Sequence, residues 1–497
     1  MEKKRQFLAD QLSTWFYYHY FMGRPFMIKF NNLSFIYEGY ETECLKNVNF
    51  TIEQGEVVLL TGLSGSGKST VLKCLNGLIP HLYEGKLSGT ILLNGLPMAD
   101  LSAGDINQTI GCVFQNPRSQ FFTTSTLSEL AFAMENYGIP YEEMQKQIAS
   151  LSERFHLQPI LDRDIFQISS GERQRLSLAC SFSLNPKILL FDEPSSNLDY
   201  AMTMQIGEYI RNFKEQGYSI LVADHRYFYL NNLLDKVIVL ESGTVSGIYT
   251  ETEFKNSDYP LRQFTLFDTD YPLLSYDPEE TYLELKNISY QTILKNISFS
   301  ARKREVIAIL GKNGAGKTTL AKVICGMEPS TSGQLNTPPV MFIMQDSDYQ
   351  LFGTSAENEL SICPHPVSRE QIHQALDRVG LLPLRHRHPF NLSGGEKQRL
   401  QIAAATVSQN KVIIFDEPTS GLDYYSMHAV SDLISELADR CCLLIISHDY
   451  EFIRKTANRI IYLADGQIQA DFVLTAETTS QVAAIFHQMK GENHENP

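Results

Sequence analysis

EVVLLTGLSGSGKSTVLKCLNGL, residues 56–78, decides the fold of this chain. The apolar run before Gly62 reads as a short strand buried on both faces. The pattern from Val71 onward reads as a helix. Between them lies Gly62–Ser69, where the glycines let the backbone wrap inward so that amide groups converge. The loop then opens onto a helix N-terminus, whose partial positive charge faces an anion. A strand, a glycine-rich loop and a helix in that order form a phosphate cradle. Lys68 is spaced to reach the β and γ phosphates of a nucleotide, and Ser69 to offer its hydroxyl to Mg2+.

Working outward, the same reading returns at residues 305–327, EVIAILGKNGAGKTTLAKVICGM. There Gly311, Asn313, Gly314, Gly316, Lys317, Thr318 and Thr319 repeat Gly62, Ser64, Gly65, Gly67, Lys68, Ser69 and Thr70. Further matches follow in the same order. ISSGERQR (168–175) pairs with LSGGEKQR (392–399), and ILLFDEPSSNLD (188–199) with VIIFDEPTSGLD (412–423). Near the end of each copy an apolar run closes on a histidine, His225 or His448. Gly171 to Asp192 spans 21 positions, as does Gly395 to Asp416. Upstream the copies differ: Lys68 to Gly171 is 103 positions and Lys317 to Gly395 is 78. Copy one holds the strand-like GTILLNG in that interval, whereas copy two has only PSTSGQLNTPP. The second copy therefore has a trimmed antiparallel β subdomain.

The expected fold is α/β: two P-loop domains in tandem, each a mainly parallel sheet with helices plus antiparallel β and α-helical subdomains. The expected boundaries are an N-terminal extension at 1–26, a first domain at 27–248 and a linker at 249–280. A second domain at 281–475 and a tail at 476–497 complete the chain. The extension combines Lys3, Lys4 and Arg5 with a cluster of aromatics. One reading is a membrane-surface or partner-docking arm; the other, which is the expectation, is translation from an upstream start.

Asp192 and Asp416 end apolar strands, where a carboxylate can hold Mg2+ directly or through water. Glu193 and Glu417 follow, each placed to orient or deprotonate an attacking water. An isolated Asp-Glu pair would read as a solvated strand cap, but the phosphate loops upstream make that reading weak.

The bulk numbers narrow the classes. A chain of 497 residues with 43% hydrophobic and 20% charged residues is ordinary globular protein. A formal net charge of −15 argues against coating nucleic acid. No apolar stretch is long enough to span a bilayer. Cys44, Cys74, Cys112, Cys180, Cys325, Cys363, Cys441 and Cys442 form no ligand cluster and read as buried, reduced thiols, which fits a cytoplasmic compartment.

Phosphate loop, LSGGE-type signature, aspartate–glutamate strand end and terminal histidine together resemble the ATP-binding-cassette family over about residues 27–475. The resemblance implies that Gln115 and Gln345 touch Mg2+ and sense a transport partner, and that His225 and His448 contact the γ-phosphate. It also implies head-to-tail stacking of the two cassettes, with each ATP held between one phosphate loop and the opposite signature. Lys68 would then face Ser393, Gly394 and Gly395, and Lys317 would face Ser169 and Gly171. The first signature departs from the pattern with Ser170 in place of glycine, which predicts a weaker site at Lys317. Tyr37 matches the adenine-stacking aromatic; Tyr290 is not at the same offset in the second copy.

Three kinds of tandem cassette protein compete. Sugar-importer ATPases typically lack the second loop lysine, which is present here as Lys317. Ribosome-acting translation factors carry a long charged linker, whereas this one is short. The segments FQNPRSQFFTTSTLSELAFAMENYGIP and VADHRYFYLNNLLDKVIVLESG resemble the ATPases of energy-coupling factor (ECF) transporters, importers of vitamins and metal ions. That resemblance implies a peripheral protein on the cytoplasmic face of the cell membrane. Its partners would be a transmembrane coupling subunit and a substrate-binding membrane subunit. The groove for coupling helices is expected at Gln120, Phe121, Phe122 and Glu129, and at Gln350, Leu351 and Phe352.

Overall fold

Short runs of β-branched and aliphatic residues, too apolar to alternate, become the central strands of two sheets. A computed structural model describes residues 27–114, 120–196, 198–260, 262, 267, 273, 280–363 and 365–491. The 1–26 extension and Gln115 lie outside the described residues. The chain divides into two units, one comprising residues up to 196 with 205–259, the other 197–204 with residues from 260 onward.

In the first unit the strands are β1 (Ile28–Tyr37), β2 (Leu45–Ile52), β3 (Val57–Gly62), β4 (Gly85–Leu93), β5 (Leu96–Pro97), β6 (Ile110–Val113), β7 (Ile188–Asp192), β8 (Ser219–Ala223), β9 (Lys236–Glu241) and β10 (Thr244–Tyr249). Six form the main sheet in the order β10-β9-β3-β8-β7-β6. All its pairs are parallel except the β9–β10 edge. β3 and β8 are buried at every position, as strands covered on both faces must be. β1, β2, β4 and β5 make a separate antiparallel sheet. Here β1 alternates, packing Ile28, Phe30, Leu33 and Phe35 into the core. The helices needed below are α1 (Lys68–Leu75), α2 (Thr126–Asn136), α3 (Tyr141–Arg154) and α4 (Ser170–Ser181).

The second unit repeats the plan with β11 (Thr281–Tyr290), β12 (Leu294–Arg302), β13 (Val306–Leu310), β14 (Ser332–Asn336), β15 (Val340–Ile343), β16 (Val412–Asp416), β17 (Cys442–Ile446), β18 (Arg459–Ala464) and β19 (Gln467–Val473). Its main sheet runs β15-β16-β17-β13-β18-β19, the same topology. The antiparallel sheet is trimmed as expected: three strands, β12-β11-β14, against four in the first unit. Its helices include α5 (Lys317–Ile324), α6 (Ala356–Ser361), α7 (Arg369–Arg378), α8 (Gly394–Val407), α9 (Tyr450–Thr456) and α10 (Thr479–Gly491).

Two expectations need correcting, that of a C-terminal tail and that of uniformly buried cysteines. The region 249–280, read as an ordered or semi-ordered linker, starts with a capped helix, Glu251–Lys255, whose Thr250 and Glu253 form a reciprocal cap. Most of the remaining linker lies outside the described residues. The predicted tail contains α10, and Val482, Ile485, Phe486 and Met489 are buried along one face of it. Phe486 meets the ring of Tyr450 edge-on at 5.4 Å. The cysteines are all unpaired, but only Cys74, Cys441 and Cys442 are buried; the other five are half-buried. Among the described residues no helix is long and apolar enough to cross a membrane.

Candidate active sites

In each main sheet the strand order brings three loops side by side at the carboxyl edge, where α/β sheets bind ligands. In the first unit β8 lies between β3 and β7, so the phosphate loop, the Asp192–Glu193 end and the His225 turn share one edge. β17 stands likewise between β13 and β16 in the second.

The loop glycines occupy backbone that side chains rarely take: φ is +147° at Gly62, +77° at Gly65 and +103° at Gly67. Gly311, Gly314 and Gly316 repeat this at +155°, +86° and +99°. A β-carbon on Gly62 would lie 2.1 Å from the Leu240 carbonyl oxygen, and one on Gly311 would lie 2.3 Å from that of Leu463. Lys68 is buried and its Nζ donates to the carbonyls of Gly62 (3.0 Å) and Leu63 (3.2 Å). Lys317 does the same to Gly311 (2.6 Å) and Lys312 (2.9 Å). Burial pulls the Lys317 ammonium below its ordinary pKa, while Glu417 and Asp416 oppose it.

Behind each loop a hydroxyl meets a carboxylate. Ser69 Oγ donates to Asp192 Oδ1 at 3.1 Å, and Thr318 Oγ1 to Asp416 Oδ2 at 2.8 Å. Burial raises both aspartates above the usual carboxylate range, with the hydroxyls and nearby lysines pulling the other way. A hard divalent cation favours this oxygen set. Gln345 is exposed on the loop after β15.

The glutamates show what their spacing did not. Glu193 and Glu417 sit at φ +45° and +51°, a left-handed backbone uncommon outside glycine. Each amide continues the ladder to the neighbouring strand, Glu193 to Ala223 (2.7 Å) and Glu417 to Ile446 (2.8 Å). The backbone twist brings the carboxylates to the histidines: His225 Nε2 lies 3.6 Å from Glu193 Oε1, and His448 Nε2 lies 3.6 Å from Glu417 Oε1. Gln398 on α8 donates to the Glu417 carbonyl at 2.9 Å, tying the signature helix to this turn within its unit.

Each signature is a helix cap. Ser169 Oγ accepts from the Glu172 amide (3.2 Å), while the Glu172 carboxylate accepts from the Ser169 amide (2.7 Å). Ser393 and Glu396 repeat the exchange at 3.4 and 2.7 Å. The S-x-x-E spacing signals this box directly. A β-carbon on Gly394 would meet nothing within 4 Å, and one on Gly395 only Leu422 at 3.7 Å. Gly171 lies in the first turn of α4.

The tyrosines occupy equivalent places despite their different offsets. Tyr37 ends β1 and Tyr290 ends β11; the loop that follows is shorter in the second copy. Tyr37 Oη lies 3.1 Å from Thr70 Oγ1, whereas Tyr290 Oη donates to Glu328 at 2.7 Å.

The predicted groove sorts by burial. Gln120 is an internal rivet, accepting from Ser177 Oγ (2.6 Å) and donating to the Ser177 carbonyl (3.3 Å). Gln350 does likewise, with Met344 N and Gln401 Nε2 both at 2.9 Å. Glu129 is buried and receives the Phe122 and Thr123 amides and the Thr123 hydroxyl. Leu351 is core, and Phe121 is half-buried. These residues hold their loops from within because a buried polar group must find partners in its own unit. Phe122 and Phe352 alone project outward, at 75% and 77% exposed. Glu359, which receives the Phe352 and Gly353 amides, plays the part of Glu129 in the second unit and is not among the residues the sequence singled out.

Two such carboxyl-edge sites, one per unit, define the class: a tandem ATPase. The family model for the ABC transporter matches residues 45–196 and 294–420, and the chain belongs to that family. A Treponema denticola protein provisionally named an ABC transporter ATP-binding protein is 36% identical over 93% of this chain and 100% of its own length. A Bacillus subtilis protein provisionally named HMP/thiamine import ATP-binding protein YkoD is 29% identical over 90% of this chain and 91% of its own. Among solved structures, a model of ribosome-bound archaeal Pelota and ABCE1 is similar in fold, with a TM-score of 0.69 at 24% identity over 91% of this chain and 80% of that one.

Proposed function

We propose that this chain is the ATP-hydrolysing motor of an ECF-type importer, energising uptake of a vitamin or metal ion through separate transmembrane subunits. It works as a peripheral protein at the cytoplasmic face of the membrane. The observation that carries this reading is the pair of exposed phenylalanines. Phe122 is held by amides locked onto buried Glu129, and Phe352 by amides on Glu359. An apolar knob on a fixed loop suits docking by a partner helix. The import function in the name of the Bacillus relative supports the same reading.

In this mechanism Glu193 and Glu417 align the attacking water, and His225 and His448, 3.6 Å from them, reach the γ-phosphate. Lys68 and Lys317 leave their own loop carbonyls for the phosphates. Mg2+ would be held by Ser69 and Asp192 with Gln115, and by Thr318 and Asp416 with Gln345. When bound, it neutralises charge on the phosphates. The two halves clasp head to tail, so that Ser393, Gly394 and Gly395 complete the site of Lys68, and Ser169 and Gly171 that of Lys317. Signature amides and hydroxyls at helix N-termini complete the cage around the anion. ATP binding closes the pair and hydrolysis releases it.

Two experiments test this. Combining Glu193→Gln with Glu417→Gln should abolish turnover while preserving ATP binding; continued rapid turnover refutes the glutamate roles. Affinity purification from native membranes should recover a polytopic membrane subunit, and recovery of ribosomes instead would replace the importer reading with a translation-factor one.

A further inference from the structure

The turn carrying the histidine is secured differently in the two units. In the first, Asp224 precedes His225, is 2% exposed and gathers donors from its own surroundings. It accepts from Ser195 Oγ (3.0 Å), Tyr229 Oη (2.6 Å) and the amides of His225 (2.6 Å) and Arg226 (3.1 Å). In the second unit that position is Ser447, and the anchoring carboxylate moves to the other side of the histidine. Asp449 Oδ2 accepts from Thr419 Oγ1 at 2.9 Å, two residues past Glu417. Its Oδ1 accepts from Arg262 at 2.6 Å, while Arg262 Nε donates to Glu451 Oε2 at 2.5 Å. Arg262, Asp449 and Glu451 are 2%, 3% and 3% exposed. The equivalent positions in the first unit are Arg226 and Phe228, which offer no carboxylate pair to an arginine.

A buried carboxylate stripped of its cation is strongly destabilised and will seek other donors. Here one such carboxylate adjoins His448 and also holds the strand-end turn of Glu417 through Thr419. We propose that Arg262, contributed by the segment that precedes the second copy, is a positioning residue for the Glu417–His448 pair, with no counterpart seen at the Glu193 site among the described residues. Hydrolysis at one of the two sites thereby depends on the joining segment. This rests on Glu417 and His448 acting as described above.

The test measures ATP turnover of the purified full-length chain in two backgrounds, Glu193→Gln to isolate the Glu417 site and Glu417→Gln to isolate the Glu193 site. Arg262→Gln should lower kcat in the first background by about 10- to 100-fold, the usual cost of a small misplacement of a catalytic group. KM should stay within about twofold, since the phosphate loop is untouched. The second background should be unaffected. Equal slowing in both backgrounds, or none in the first, overturns the assignment. If Arg262→Gln does not fold, Arg262→Lys, which keeps the charge but loses the two-pronged geometry, is read by the same criterion: slowing confined to the Glu417 site supports the role, and equal or absent slowing overturns it. Turnover that persists in the double glutamine variant would instead show that the glutamate reading itself is wrong.

Discussion

Two glycines illustrate how differently one residue type can be constrained. At Gly62 the left-handed backbone and the Leu240 carbonyl 2.1 Å from any β-carbon both forbid a side chain. Gly62→Ala should cost more than about 2 kcal/mol of stability, read from denaturant unfolding. At Gly394 nothing within 4 Å resists a side chain, so its own unit does not demand glycine. Gly394→Ser should change stability by no more than about 0.5 kcal/mol. It should nonetheless weaken ATP-driven closure at the Lys68 site, which direct nucleotide titration would reveal. An unchanged affinity would count against the signature facing the opposite phosphate. The serine already at position 170 is this substitution made by nature. The phosphate-loop glycines were legible because the loop is contiguous in sequence. The left-handed glutamates were not: nothing in the letters of FDEP announces a positive φ imposed by the neighbouring strand.

Among the elements, the signature helices depend on their caps. Burial raises the Glu172 carboxyl, but its bonds with Ser169 and the nearby arginines outweigh that and hold it below its ordinary pKa. A depressed folded pKa means the stabilisation is present above the unfolded value, about 4.3 for glutamate, and is lost as pH falls through the folded value. Hydrogen exchange across α4 should therefore rise in that acid range, and Glu172→Gln should flatten the dependence; an unchanged acid profile in the variant would remove the cap from the explanation. The capping boxes were visible in the S-x-x-E spacing. So was α10, since Val482, Ile485, Phe486 and Met489 fall at i, i+3, i+4 and i+7, but the polar ending beyond them led to the reading of a tail. Arg262 was not visible at all: its partners lie 187 and 189 positions away, and a lone arginine in an aspartate-rich stretch carries no periodic signal.

For the whole molecule, the duplication sets the expectations and the departures from it carry the information. Both parallel sheets were readable because their strands are continuous apolar runs before repeated motifs. The trimmed sheet of the second copy followed from a difference in spacing alone. What the repeat concealed is the asymmetry around it, including α10, which runs 13 residues after β19 where the helix after β10 in the first unit runs five. Ending the chain after Thr478 would remove four buried side chains, Val482, Ile485, Phe486 and Met489, worth about 1.5–3 kcal/mol each. The truncated chain should melt well below the full one, by calorimetry; an unchanged midpoint would show that the helix contributes little.

The backbone at Glu193 and Glu417 also limits how either site could decay over evolutionary time. A position held left-handed admits glycine, asparagine and aspartate readily and tolerates the isosteric glutamine, but a valine, isoleucine or threonine there would unseat the strand end along with the chemistry. A lineage that silenced one nucleotide site while keeping the scaffold would therefore draw from a short alphabet. The spelling of that single residue would separate a site retired intact from one whose framework had collapsed.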